Sequence, residues 1–138
     1  MLDQEALLAE PADHYMNAAQ QAFFSDLLHT QRHALQAQID EQMAFLQDME
    51  TESDPADIGA AEEQRNWHLR LLEREKKLLD KIDAALLRLA RGEYGWCAET
   101  GEPIGLKRLL LRPTASLCIE AKERQEKREQ HMIKHRGE

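Results

Sequence analysis

The two cysteines of the chain have the spacing of half a zinc site. Two residues separate Cys97 from Thr100 and Cys118 from Ala121, and seventeen residues lie between these pairs. Such spacing predicts a structural zinc finger when all four positions hold cysteine. Alanine has no donor atom, and a threonine hydroxyl is a poor ligand for zinc. The pattern therefore predicts a degenerate, zinc-finger-like lobe that binds no zinc and no other cofactor.

Two alternatives stay open for this lobe. Glu99, His131 or His135 could replace the missing ligands, although structural zinc needs four well-placed donors. The thiols could be inert and partly buried, or they could pair under oxidation. A lobe without metal depends on packing, and the apolar residues available for it are Trp96, Ile104, Leu109, Leu117 and Ile119.

A second candidate site is acidic. Residues 48–64 contain seven acidic residues and no Lys or Arg. Asp54 before Pro55 suits a helix start, and Asp57 falls in the first turn, where a carboxylate favours the helix dipole. Capping is therefore one explanation for both aspartates, but it needs less charge than this segment carries. Gly59 lowers helix stability by about 1 kcal/mol relative to Ala.

Two long helices position this acidic segment. Residues 17–50 contain no Gly or Pro, and residues 55–90 carry apolar side chains at a seven-residue spacing, as in Leu71, Leu78 and Ala85. The pattern predicts an antiparallel coiled-coil hairpin over residues 17–91, with its acidic tip near residues 51–59. Each arm is about 50 Å long at 1.5 Å per residue. A mainly α fold is expected, in which the hairpin projects from a small globular lobe.

The remaining residues form that lobe. An N-terminal segment, residues 1–16, with a short helix over residues 2–9, is expected to pack on it. Residues 92–138 are expected to form the finger-like lobe and a C-terminal helix. Within them, four glycines in residues 92–105 predict turns, residues 106–111 and 114–117 predict short strands or turns, and residues 117–135 predict the helix.

Charge and hydropathy limit the classes of function that the chain can have. The net charge is −8, divided into −13 for residues 1–64 and +5 for residues 65–138. This asymmetry indicates an acidic and a basic working surface, or simply a solvated helical protein with uneven charge. The net charge of −8 argues against direct DNA binding. No apolar run is long enough to cross a membrane and the first ten residues lack a basic region, so a cytoplasmic protein is expected.

Four short stretches carry a resemblance to a known family. They are Asp-Pro-Ala-Asp at 54–57, Arg-Glu-Lys-Lys-Leu at 74–78, Gly-Trp-Cys at 95–97 and Arg-Pro-Thr-Ala-Ser-Leu-Cys at 112–118. In this order and spacing, over residues 15–132, the chain resembles the DksA/TraR family of bacterial transcription regulators. The two missing ligands make it similar to the zinc-independent branch of that family.

The resemblance implies a mechanism. Family members bind RNA polymerase directly and insert the hairpin into its secondary channel. They destabilise promoter complexes and, with guanosine tetraphosphate (ppGpp), repress ribosomal RNA promoters in the stringent response. The implied tip residues are Asp54, Asp57, Gly59 and Ala60, with Gly59 standing where the family has Ala. The implied polymerase contact is Arg74, and the implied ppGpp-binding residues are Leu78, Lys81, Arg112 and Lys122.

Other functions are weighed against this one. An enzyme is not expected, since the cysteines lack a recognisable histidine base and there is no Gly-rich phosphate loop. A coiled-coil adaptor without a polymerase role, or a helper protein of the transcript-cleavage type, remains the alternative. For each of Lys81, Arg112 and Lys122 alone, a solvated surface charge is the simpler explanation. A monomer is expected.

Overall fold

The structure is a computed structural model that describes residues 2–51 and 58–136. Five α-helices and a short 3-10 turn at Ala12–His14 make up the described regular structure. The helices are α1 (Gln4–Ala9), α2 (Ala18–Thr51), α3 (Ile58–Ala90), α4 (Leu106–Leu111) and α5 (Ile119–Arg136). The described residues contain no strand, only an isolated antiparallel bridge between Trp96 and Pro103. The predicted tip residues Asp54 and Asp57 lie outside the described residues.

The predicted fold class is confirmed. The chain is mainly helical, and α2 and α3 form the hairpin. Cross-helix contacts include the 2.6 Å ion pair of Arg32 with Asp83 and the 2.8 Å contact between Gln42 Oε1 and His68 Nδ1. Among the described helices, none combines the length and the apolarity that a membrane span requires.

The strands or turns expected at residues 106–111 are wrong, because this segment is the helix α4. Leu, Lys and Arg fill all six positions, and these residues favour helices over strands. Gly105 precedes the helix at φ 99°, a conformation that glycine adopts at little cost. The helix then fixes Leu109 in the core, where it is fully buried.

The chain divides into two compact units. We call Leu28–Ala84 the arm unit, and Met1–Leu27 together with Ala85–Glu138 the lobe unit. The arm unit buries apolar side chains of both helices, namely Leu28, Leu35, Ile39 and Leu46 of α2 and Leu72 and Ile82 of α3. The four residues of α2 are spaced by seven, four and seven positions, which follows the helix period.

The lobe unit is built around aromatic and apolar side chains. Phe24 of α2 lies 5.5 Å from Tyr94, measured between ring centroids, and both are buried. Of the expected lobe core, Ile104 and Leu109 are buried, whereas Trp96 and Leu117 are half-buried. The placement of Ile119 in the core is wrong: as the first residue of α5 it is 53% exposed.

Candidate functional site

The two cysteines lie in two backbone segments of the lobe that a hydrogen bond joins. Cys97 and Cys118 are both buried and unpaired as thiols. The amide of Cys97 donates to Glu102 O over 2.7 Å, and the carbonyl of Cys97 accepts from the Gly101 amide over 2.8 Å. The Ala98 amide donates to Ser116 O over 2.8 Å. This bond joins the loop that follows Cys97 to the segment that precedes Cys118.

The side chains at the four finger positions are close but chemically unequal. Thr100 Oγ1 lies 4.0 Å from Cys118 Sγ. Ala121, in the first turn of α5, is fully buried and presents only a methyl group. Burial raises the pKa of the Cys97 thiol. Hydrogen bonds to its sulfur lower the pKa by more than burial raises it, to about 6; they come from the Thr100 hydroxyl and from the backbone amides of Cys118, Thr100 and Glu99. These hydrogen bonds favour the thiolate form of Cys97.

The carboxylate next to the first cysteine is held away from a ligand role. Glu99 is paired with Arg124 and Arg128 of α5, with N–O distances of 3.6 Å for each pair. Among the described residues, no group of three or more His, Cys, Asp or Glu side chains could hold a metal ion. The described donor set of the finger positions is thus two sulfurs and one hydroxyl.

Three polar side chains position the turn that leads to Cys97. Arg88 Nη2 donates to Trp96 O over 2.6 Å. The Tyr15 hydroxyl donates to Gly95 O and accepts from the Gly105 amide over 3.0 Å, while its ring meets Trp96 edge-on at 5.2 Å. The Tyr94 hydroxyl donates to Pro113 O over 2.7 Å. These roles of Arg88, Tyr15 and Tyr94 could not be predicted from the sequence, because nothing in their local pattern indicates these long-range bonds.

The residues implied for polymerase and ppGpp binding fall in both units. Gly59 and Ala60 are exposed near the start of α3, and Arg74, Leu78 and Lys81 are exposed further along it. Arg112 is the exposed C-cap of α4. Lys122 is half-buried on α5, and its Nζ donates to Gln125 Oε1 over 3.1 Å. Leu78 and Lys81 therefore belong to the arm unit, and Arg112 and Lys122 to the lobe unit.

Comparison with known families finds two matching domain models along the chain. Residues 20–89 match the model of the DnaK suppressor protein DksA, N-terminal domain, and residues 92–127 match that of the prokaryotic dksA/traR C4-type zinc finger. The chain belongs to the DksA family. The predicted resemblance is thereby confirmed, and so is the prediction that the protein is not an enzyme, since DksA-family members are transcription factors.

Individual DksA-family relatives match over most of the chain. The RNA polymerase-binding transcription factor DksA of Caulobacter vibrioides (strain NA1000 / CB15N) is 43% identical over 116 residues, which cover 83% of this chain and 82% of the relative. The factor of the same name from Escherichia coli (strain K12) is 39% identical over 124 residues, 89% of this chain and 82% of that one. A solved structure, that of transcription factor DksA2 from Pseudomonas aeruginosa, superposes on this chain with a TM-score of 0.87 and 68% sequence identity. The superposition covers 94% of this chain and 100% of the DksA2 chain.

The match to the zinc finger corrects one prediction. The expectation that the lobe binds no zinc and no other cofactor is wrong for the family to which the lobe belongs, because a C4-type finger points to zinc binding. That expectation rested on the replacement of two cysteines by Thr100 and Ala121. The present donors, Cys97 and Cys118, do not make up the four sulfurs of such a site. The function proposed below therefore contains no step through a metal ion.

Proposed function

We propose that this DksA-family chain is a transcription regulator that binds RNA polymerase directly. The observation that carries the proposal is the match to relatives named RNA polymerase-binding transcription factors, at 39–43% identity over 82% of their length. The protein acts by binding rather than by chemistry of its own. It acts as a monomer in the cytoplasm, without direct contact with DNA or membrane.

The helical hairpin is the element that enters the polymerase. In this proposal the hairpin of residues 17–91 inserts into the secondary channel, and the lobe of residues 92–138 with the N-terminal segment 1–16 stays outside. Two features support it. Helices α2 and α3 have 34 and 33 residues, about 50 Å each, and seven acidic residues without a basic one occupy residues 48–64. Negative charge at the end of a narrow hairpin interacts strongly with charged groups inside a channel, because the low-dielectric walls screen it little.

Asp54 and Asp57 carry the activity at the tip, next to Gly59 and Ala60, and Arg74 supplies a contact on the flank. The tip destabilises promoter complexes, those of ribosomal RNA promoters among them. Most of the contact area comes from the long flanks of the arm. Binding and action are therefore separable, which makes the mechanism testable with single substitutions.

The basic residues Lys81, Arg112 and Lys122, together with Leu78, bind ppGpp at the interface with the polymerase. Arg and Lys are the side chains that recognise phosphate groups through charge-assisted hydrogen bonds. Lys81 and Arg112 are exposed, and Lys122 is oriented by Gln125. With ppGpp the protein represses ribosomal RNA promoters in the stringent response.

The deciding experiment measures polymerase affinity and repression of a ribosomal promoter side by side. Asp57→Asn keeps the size of the side chain and some capping ability, so it should bind nearly normally and fail to repress. Arg74→Ala should weaken binding first, and Lys76→Ala, an exposed basic neighbour on α3, is its matched control. A loss of affinity and activity in equal proportion for Asp57→Asn would make the tip an anchor.

The role of ppGpp is tested in the same assay. Lys122→Ala should repress to the basal extent but lose the further effect of ppGpp, whereas Lys127→Ala, an exposed lysine of α5, should respond as the wild type does. A response of Lys122→Ala equal to that of the wild type would remove ppGpp binding from this site. A wild-type protein that does not bind polymerase would instead favour the coiled-coil adaptor.

A further inference from the structure

Three rings in the arm unit lie side by side, and one contact among them crosses the hairpin. Phe45 of α2 lies 4.3 Å from His68 of α3, measured between ring centroids. Trp67 meets His68 edge-on, at 4.8 Å and an interplanar angle of 85°. The imidazole is held in place by the 2.8 Å contact between its Nδ1 and Gln42 Oε1. We call Phe45, Trp67 and His68 the aromatic patch.

The aromatic patch is open to solvent. Trp67 is 56% exposed and Phe45 is 44% exposed, whereas the other five Phe, Tyr and Trp residues of the chain are buried or half-buried. Neither ring belongs to the buried seam of the arm, which Leu35, Ile39 and Leu72 help to form. Helix pairing therefore does not require two exposed rings here. Exposed aromatic clusters of this kind are typical of binding surfaces, and Trp is the residue most enriched at their energetic centres.

Charge decides which partner can cover the patch. Residues 40–63 contain nine acidic residues and no Lys or Arg, and Phe45 lies within them. Arg65 and Arg70 follow on the other side of Trp67. A nucleic-acid backbone or an anionic membrane surface would be repelled by the acidic stretch. A second copy docked through the same patch would bring two such stretches together, at a similar cost.

A protein surface with the opposite charge meets no such repulsion. Its complement to the patch is an apolar pocket for the rings, surrounded mainly by basic groups. Relatives of this chain are named for binding one protein assembly, RNA polymerase. We infer that the aromatic patch is an anchor of the arm on RNA polymerase, in which Trp67 and Phe45 fill an apolar pocket rimmed by basic side chains. This inference rests on the proposed function and adds a site that neither the tip nor the ppGpp residues include.

The test compares the polymerase affinity of four full-length variants with that of the wild type. Trp67→Ala and Phe45→Ala should each lose roughly tenfold or more, as residues at the centre of an interface do. Trp67→Phe retains a ring and should lose much less. Leu69→Ala is the matched control: Leu69 is 42% exposed on the same helix, but about 200° around its axis from Trp67. It should bind as the wild type does.

Two further measurements keep the result interpretable. Helical content should be equal for all variants, and the thermal midpoint of Trp67→Ala should match that of the wild type, since the Trp67 ring lies outside the buried seam. Phe45→Ala also removes a ring contact with His68 across the hairpin, so its affinity is compared at a temperature well below its own midpoint. The loss caused by Trp67→Ala should also be similar at low and high salt, because apolar contacts are not screened.

Each other outcome overturns the inference. Unchanged affinity of Trp67→Ala, with wild-type binding intact, removes the anchor and leaves the proposed function standing. Equal losses for Trp67→Ala and Leu69→Ala mean that the arm has no defined anchor. A wild-type dimer, or binding of single-stranded RNA, that Trp67→Ala abolishes assigns the patch to a second copy or to stacked bases. Absence of wild-type binding to polymerase is recognised separately, since it refutes the proposed function itself.

Discussion

Different interactions stabilise the interior of the arm unit and that of the lobe unit. Buried apolar side chains at helical spacing hold the arm, and its backbone polar groups are satisfied within α2 and α3. The lobe contains turns whose backbone groups have no helix to satisfy them. Bonds between turns satisfy some of them, as between the Ala98 amide and Ser116 O. Side chains satisfy others, as Arg88 does for Trp96 O and Tyr94 for Pro113 O. Since an unpaired buried polar group costs free energy, the lobe should tolerate substitution less well than the arm.

The largest expected effect comes from Gly95→Ala in the lobe. Gly95 has φ 89°, and a Cβ atom there would lie 2.8 Å from both Cγ and Sδ of Met16, a buried side chain. Backbone strain and steric overlap together should lower the free energy of unfolding by about 3 kcal/mol. Chemical denaturation measures the loss. Gly59→Ala is the control in α3, where a Cβ meets nothing within 4 Å, and it should raise stability by at most about 1 kcal/mol. A Gly95→Ala protein of wild-type stability would show that the lobe adapts as easily as a helix.

Tyr15→Phe should have the next largest effect. The ring remains to meet Trp96, but the Gly105 amide loses its acceptor, while Gly95 O keeps the Ile104 amide as a donor over 2.8 Å. The free energy of unfolding should fall by about 1–3 kcal/mol. The same denaturation experiment measures it. A loss below about 0.5 kcal/mol would indicate that the hydroxyl contributes no more than an exposed bond.

The two units should differ in their response to alkaline pH, because both tyrosines of the chain, Tyr15 and Tyr94, lie in the lobe unit. Burial, and then the charge of Tyr15, raise the pKa of Tyr94 well above its ordinary value of 10. Above pH 10 the unfolded chain therefore loses a proton that the native state retains, so stability falls as pH rises. Between pH 10 and 11 this should cost about 1 kcal/mol. Tyr94→Phe should show a flatter decline, measured as denaturation midpoints against pH. An unaltered slope would assign the decline to other groups.

The smallest effect is expected in the arm, from Arg32→Ala. The 2.6 Å ion pair of Arg32 with Asp83 joins the two helices, but both side chains are at least 40% exposed. Solvent and salt screen such a pair, so the thermal midpoint should shift by an amount close to the error of the measurement. Any shift should disappear at high salt. A loss comparable to that of Tyr15→Phe would contradict the contrast between the units.

The arm could be predicted from the sequence and the lobe only in part. The helix predicted over residues 17–50 agrees with α2 to within one residue at each end. A long unbroken helix can be recognised in a sequence because it lacks Gly and Pro and its apolar residues follow the helix period. The strands or turns expected at residues 106–111 and the burial of Ile119 were wrong. There, conformation depends on contacts between distant residues, such as the bond from Tyr94 to Pro113.

The candidate site shows the same limit. Spacing alone found the half-finger, whose Thr100 and Cys118 side chains the structure brings within 4.0 Å. The lowered pKa of Cys97 depends on backbone amides around it, including that of Cys118, which no local pattern reveals. Apolar character alone also does not tell that Phe45 is 44% exposed. A seven-residue spacing identifies a stripe, but it does not tell which edge of the stripe stays open.

The two tryptophans of the chain give each unit its own optical signal. Trp96 lies half-buried against Tyr15 in the lobe, while Trp67 stands in solvent on the arm. An indole in water emits at longer wavelength than one in an apolar surrounding, so the two emission bands are offset in the folded protein. Replacing either tryptophan by phenylalanine leaves a chain with a single tryptophan at a known place, which can be excited selectively over the two tyrosines at long wavelength. Melting of the arm and of the lobe can then be followed separately in solution, without any added label.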